Sequence, residues 1–236
     1  MSRSWSRAIA AGRLPVGEIR AMAFDADARG YHLMLGLRRH RDWTAIRPRT
    51  FAAALDGLRR SYRVVVADID PDVEGEAATG SLDVEDRNTM ARVTVESADV
   101  IVVVGTCTTK GVHSLGRTIR DLVTHLPHSG TRIRTLCNHA PRRPRKRAET
   151  TRALATLLGP ELAAAVGNPL FLPHRSDIDT AMRDGAALPA TFTAPIARHV
   201  ASGRTPPREH AAAPSPAPFP EPIAPGSLGH WSEEAG

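Results

Sequence analysis

The chain has 236 residues and a formal charge of +6. An apolar share of 42% supports one core-forming domain of about 200 residues followed by a tail. No run of ~18 apolar residues is present to cross a membrane, and Met1 to Gly12 lacks the apolar stretch of a secretory leader. Two cysteines, Cys107 and Cys137, are too few for a disulfide framework and fit a reducing, cytoplasmic setting. Lys110 and Lys146 are the only lysines among 31 basic residues, the rest being arginine. So arginine-rich a composition bears on solubility and non-specific attraction, and does not by itself indicate a nucleic-acid partner.

In chain order, residues 1–17 suggest a short helix-like piece. Residues 18–37 predict a β-hairpin turning at Asp27-Ala28-Arg29-Gly30, with Tyr31, Leu33, Leu35 and Leu37 on one face. An Arg-rich loop around Trp43 leads to a helix over about 49–60, where Phe51, Leu55 and Leu58 recur at helical spacing. Tyr62 to Asp68 is a nearly continuous apolar run, the pattern of a strand buried on both faces of a parallel sheet. An acidic loop over 69–82 precedes a helix over 83–97, with Asp83 placed to cap it. Strands at 100–104, 133–137 and 170–172 alternate with helices at 111–126, up to about Leu158, and 177–184. This alternation predicts an α/β fold: a mostly parallel sheet flanked by helices and joined by right-handed crossovers. From residue 203 the composition shifts. Eight prolines over 206–225 predict an extended or disordered tail, whose role is solvation or a docking peptide anchored by Phe219 or Trp231.

In a parallel sheet, ligands bind outside the carboxyl ends of the strands. Those ends carry Asp68, Gly105-Thr106, Asn138 and Pro173. An acid at such an end can order Mg²⁺ or its water shell, or it can simply cap the next turn. The Asn138 amide offers the donor and acceptor that a purine edge requires, or it shapes the turn before Pro141. Asp68, Asp70 and Asp72 spell D-x-D-x-D, but Val73 and Thr79 stand where an EF-hand needs Gly and Glu. The same acids are similar to the nucleophile strand of haloacid-dehalogenase phosphotransferases, with Asp177 and Asp179 as candidates for that family's second acid pair. The run Arg142-Arg143-Pro144-Arg145-Lys146-Arg147 could meet phosphates of nucleic acid or lipid, or form a solvated loop and helix start. His125 and His128 form H-x-x-H in a loop context with no third ligand nearby. The two cysteines both follow strand ends and read best as inert thiols.

Taken together, Tyr62–Asp68 with its acidic Gly-containing loop, Ser97-Ala98-Asp99-Val100 to Val104, Cys137-Asn138, and Leu172-Pro173 through Pro189 resemble MinD/ParA-type ATPases, closest in flavour to their CpaE-like branch. They match, in order, the Walker B strand and switch region, the next strand, the adenine-contacting Asn and the segment near the base. The resemblance implies ATP and Mg²⁺ as cofactors. Asp68 would hold Mg²⁺ through water, and Asp70, Thr106, Asn138 and Pro173 would line the nucleotide. It also implies an ATP-closed homodimer and a protein partner in a positioning or pilus-assembly system. The chain departs from the family in having no G-x-x-x-x-G-K-[ST] loop. Without that loop's N–H groups and lysine the β- and γ-phosphates have no cradle. The chain as it stands is therefore expected neither to hold ATP tightly nor to hydrolyse it. A start placed too far downstream would explain the departure. So would a pseudo-ATPase that borrows the missing edge from a partner, and a non-catalytic interaction module is the competing expectation.

Overall fold

The computed structural model describes residues 16–26, 29–37, 40–125 and 132–202. The chain divides into units 1–204 and 205–236, and all described residues belong to the first. The proline-rich tail, the piece at 1–15 and His128 lie outside the described residues.

A three-stranded parallel sheet forms the centre. Its strands are β3 (Val100–Thr106), β4 (Arg132–Asn138) and β5 (Leu170–Phe171), in the order β3-β4-β5. β3 and β4 pair in register from Val100↔Arg132 to Thr106↔Asn138. Beyond the two-residue β5 the pairing continues through Leu172 N–H to the Cys137 carbonyl (2.9 Å) and Ala140 N–H to the Leu172 carbonyl (2.8 Å). The expected α/β class is therefore observed, with helices packed against the sheet. In chain order the helices are α1 (Val16–Ala21), α2 (Pro48–Ser61), the single turn α3 (Glu76–Thr79), α4 (Leu82–Ser97), α5 (Thr109–His125), α6 (Pro144–Leu158), α7 (Pro160–Val166), α8 (Ser176–Arg183) and α9 (Ala190–Ala201). No described helix is long and apolar enough to cross a membrane.

The core follows from helical periodicity. Val112, Leu115, Ile119 and Leu122 form one buried stripe of α5. They cluster with Ala91 and Val95 of α4, Val103, Cys137, Leu154 of α6 and Val166 of α7. Each such apolar side chain stabilises the fold by about 1.5–3 kcal/mol. Gly116 lets α6 approach closely, since a Cβ there would stand 3.3 Å from Leu157 Cβ.

Helix ends differ in instructive ways from the sequence expectations. α4 is capped by Ser81, whose Oγ accepts from Val84 N–H at 3.4 Å. Asp83 lies within the first turn, where its charge suits the helix dipole. α6 begins inside the basic run because Pro144 takes the first helical position, which needs no N–H donor. α3, α7 and α9 were not anticipated. α9 tolerates Pro195 inside it.

The largest difference lies at 62–70. The apolar run there is extended but belongs to no sheet, and it is exposed rather than buried: Val64 is 65% and Val66 89% exposed. Among the described residues, no backbone group of 63–71 bonds to another backbone group. A strand is defined by its neighbour, and this segment has none. The hairpin is also shorter than expected. After α1, β1 (Phe24–Ala26) and β2 (Tyr31–Leu33) pair as Phe24↔Leu33 and Ala26↔Tyr31. Gly30 closes the turn at φ 67, a conformation that glycine adopts without strain. Tyr31, Leu33 and Leu35, expected on one face, are all exposed.

Candidate functional site

The register Thr106↔Asn138 and the bonds that run on past β5 bring Thr106, Asn138 and Pro173 to one end of the sheet. That end is the carboxyl end of three parallel strands. Thr106 Oγ1 lies 3.0 Å from Thr108 Oγ1, and Thr108 Oγ1 in turn accepts from Gly111 N–H at 3.1 Å, fixing the first turn of α5. Asn138 Oδ1 accepts from His139 N–H at 2.8 Å, which orients the amide and leaves its NH₂ without a partner among the described residues. His139 holds φ at 51, an uncommon value for a residue with a Cβ. Its ring stacks on His174, centroids 5.2 Å apart and planes 18° apart. The two imidazoles give the site a planar face that no sequence motif signalled. The usable clue was that each His directly follows a strand-end residue.

Beside them lies an open hollow of about 730 Å³ lined by Arg142, Pro173, His174, Arg175, Ser176 and Asp177. Its charges are mostly matched internally. Arg175 donates to both carboxylate oxygens of Asp177, at 3.0 and 2.5 Å, and to Thr191 Oγ1 at 3.1 Å. The guanidinium bonds hold the Asp177 carboxyl below the usual range and raise Arg175 further. Asp177 and Asp179 occupy the first turn of α8, so this helix N-terminus already carries the negative charge that its dipole favours. Arg142 makes no hydrogen bond or ion pair among the described residues. The rest of the basic run is largely engaged. Arg145 and Lys146 pair with Glu149 at 3.2 and 3.0 Å. Arg147 donates to the Pro141 carbonyl at 2.7 Å and lies over the Phe171 ring.

Asp68 and Asp70 are not joined to this end. Both lie on the exposed extended segment, and no hydrogen bond or ion pair among the described residues connects either to Thr106, Asn138 or Pro173. Asp70 only accepts from Asp72 N–H at 3.4 Å, while Asp72 pairs with Arg87 of α4 at 3.0 Å. No group of three or more His, Cys, Asp or Glu side chains placed to hold a metal occurs among the described residues. The residues present therefore fit ATP and Mg²⁺ poorly at the phosphate end. The hollow offers one uncommitted cation and an acid-filled helix start, and Asp68 belongs to no group of three or more metal-ligating side chains among the described residues. They fit the base end better, through an oriented amide, a prolyl turn and a stacked aromatic face.

Elsewhere, Cys107 packs against the buried cluster that contains Cys137. Burial first, then the neighbouring Cys107, pushes the Cys137 thiol up to about 12, as an inert thiol requires. His125 lies 3.1 Å from Glu96 Oε1 and serves the packing of α5 against α4.

No family model, curated protein or solved structure matches the chain. The likeness to MinD/ParA-type ATPases therefore rests on the residues of the sequence alone.

Proposed function

We propose that this domain is a non-hydrolysing module of the MinD/ParA-like kind that its sequence resembles: it recognises the base end of a nucleotide at the carboxyl end of its sheet and docks a protein partner of a positioning or assembly system. One observation carries the reading: Thr106, Asn138 and Pro173 lie together at the strand ends, while Asp68 and Asp70 lie on a segment that joins no sheet. Base recognition without a phosphate cradle gives weak, sequence-tolerant affinity, because most nucleotide-binding energy in P-loop proteins comes from phosphate and Mg²⁺ contacts. The Asn138 NH₂ donates to a ring acceptor, the His139–His174 face stacks on the base, and Arg142 meets a single anionic group. Among the described residues no group is assigned to activate water or to neutralise a leaving phosphate, and the proposed function is binding without turnover.

Calorimetric titration of residues 1–236 with adenosine, AMP and ATP, each with and without Mg²⁺, tests this. Expected are dissociation constants in the millimolar range, about −4 kcal/mol, with AMP and ATP alike and at most about tenfold tighter than adenosine, indifferent to Mg²⁺ and weakened by Asn138→Ala. Mg²⁺-dependent ATP binding far tighter than adenosine binding, or ATP turnover lost in Asp68→Ala, would overturn the reading in favour of a competent switch.

A further inference from the structure

Two halves of an unmade strand pairing face solvent in this chain. β3 is the outer strand of its sheet, bonded on one side to β4 and on the other to nothing among the described residues, and its Val104 is 59% exposed. The segment 64–69 is extended, β-branched and apolar, and it too lacks backbone partners among the described residues. Such an edge is a template for another strand, and such a segment supplies what the template requires: free N–H and C=O groups and side chains suited to a pleated surface. The chain therefore carries both the acceptor and a donor of the right chemistry.

We propose that two copies of this chain associate by exchanging segment 64–69 across their β3 edges. The strand order in the joined sheet would be β3 of one chain, 64–69 of its partner, 64–69 of the first chain, and β3 of the partner. A two-fold axis between the two central segments makes this a closed, self-complementary arrangement. Each β3 gains a second neighbour, and each segment gains one on both sides. Within one chain, 64–69 and β3 are linked through α3 and the return helix α4, and the partner's strand enters between them. Charge favours the antiparallel sense at the axis. The segment is preceded by Arg63 and ends among Asp68 and Asp70, so antiparallel pairing sets the basic end of one copy against the acidic end of the other. Parallel pairing would align like charges, which is unfavourable across strands. The association needs no nucleotide, which separates it from the ATP-closed dimer that the family resemblance implies and from the ligand reading above.

Sedimentation of the full 236-residue chain without nucleotide, across a dilution series, tests the proposal. The expected species is a dimer of twice 25.4 kDa that dissociates on dilution. Hydrogen exchange at the amides of 64–69 and of β3 should be slow in the dimer and fast in the monomer. Val66→Pro removes one backbone N–H donor at a residue that is 89% exposed, so the single chain keeps its packing. It should raise the dimer dissociation constant about tenfold or more, as should Val104→Asp, while Val66→Thr leaves it near the wild type. A monomer at every concentration overturns the proposal, whether 64–69 is unprotected or is protected by the chain itself. So does a dimer indifferent to both substitutions, or growth into open-ended assemblies.

Discussion

Gly111 and Gly105 stand at the two sides of the β3–α5 turn that presents Thr106, and they should respond to alanine in different ways. A Cβ built at Gly111 would lie 2.4 Å from the Thr106 carbonyl oxygen and 2.3 Å from Thr106 Oγ1. Ordinary contact begins near 3.4 Å, so the turn must open by about 1 Å, and the obstructing atom is backbone at the end of a paired strand. Overpacking of this kind costs about 1–3 kcal/mol. With a urea m-value of about 2 kcal/mol/M, Gly111→Ala should lower the unfolding midpoint by roughly 1 M. Removing the Thr106 hydroxyl should not rescue it, because Thr106→Ala leaves the carbonyl in place. At Gly105 the added Cβ would lie 2.6, 2.8 and 3.0 Å from Leu115 Cγ, Cδ2 and Cδ1. There the obstacle is a side chain, though a packed one. Gly105→Ala should also cost about 1–3 kcal/mol, but Gly105→Ala with Leu115→Val should unfold at a higher urea concentration than the sum of the single changes allows, with a coupling of about 1 kcal/mol. Urea titrations of the five variants followed by circular dichroism read all of this. A Gly111→Ala protein with the wild-type midpoint, or additive behaviour at Gly105 and Leu115, would refute the close approach of α5 to the strand end.

Two further outcomes concern titration. Burial raises the Cys137 thiol from its ordinary value of 9.0 to about 12, so the folded state holds its proton where the unfolded chain has lost it. The contribution of Cys137 is complete below pH 9 and fades between pH 9 and about 12; in paired stability-versus-pH curves Cys137→Ala should show a flatter alkaline limb than the wild type. His125 behaves in the opposite sense. Burial, then Arg92, lowers it below 6.5, against the smaller opposing pull of Glu96. Its contribution is present above pH 6.5 and is lost as pH falls through the lowered folded value, so His125→Gln should flatten the acid limb, and an unchanged acid limb would sink this account.

Most of the sheet was legible because its strands differ sharply from their surroundings. Val100–Val104 and Ile133–Cys137 are apolar runs followed by segments with helical spacing, and both formed as strands within two residues of the expected ends. The strand-end residues Thr106, Asn138 and Pro173 converge for the same reason: parallel register follows once two such strands lie side by side. The His139–His174 stack and the Arg175–Asp177 pair were not legible, because each depends on how loops after different strands meet. α7 and α9 were missed because Ala-rich stretches interrupted by Gly159, Gly167 and Pro195 show little apolar periodicity.

The segment 62–70 marks the limit of local reasoning. Its composition, Tyr-Arg-Val-Val-Val-Ala-Asp, is as strand-like as that of β3, yet β3 forms a ladder and this run does not. Strand preference measures fit to a pleated, partly buried surface rather than an intrinsic state of the backbone, so identical propensity yields a strand only where a neighbour exists. The consequence reaches the site. An acid at the end of a paired central strand is held at the mouth of a nucleotide pocket, whereas Asp68 at the end of an unpaired run is held nowhere in particular. Whatever restores a neighbour to 64–69 would therefore also decide where Asp68 stands relative to Thr106 and Asn138.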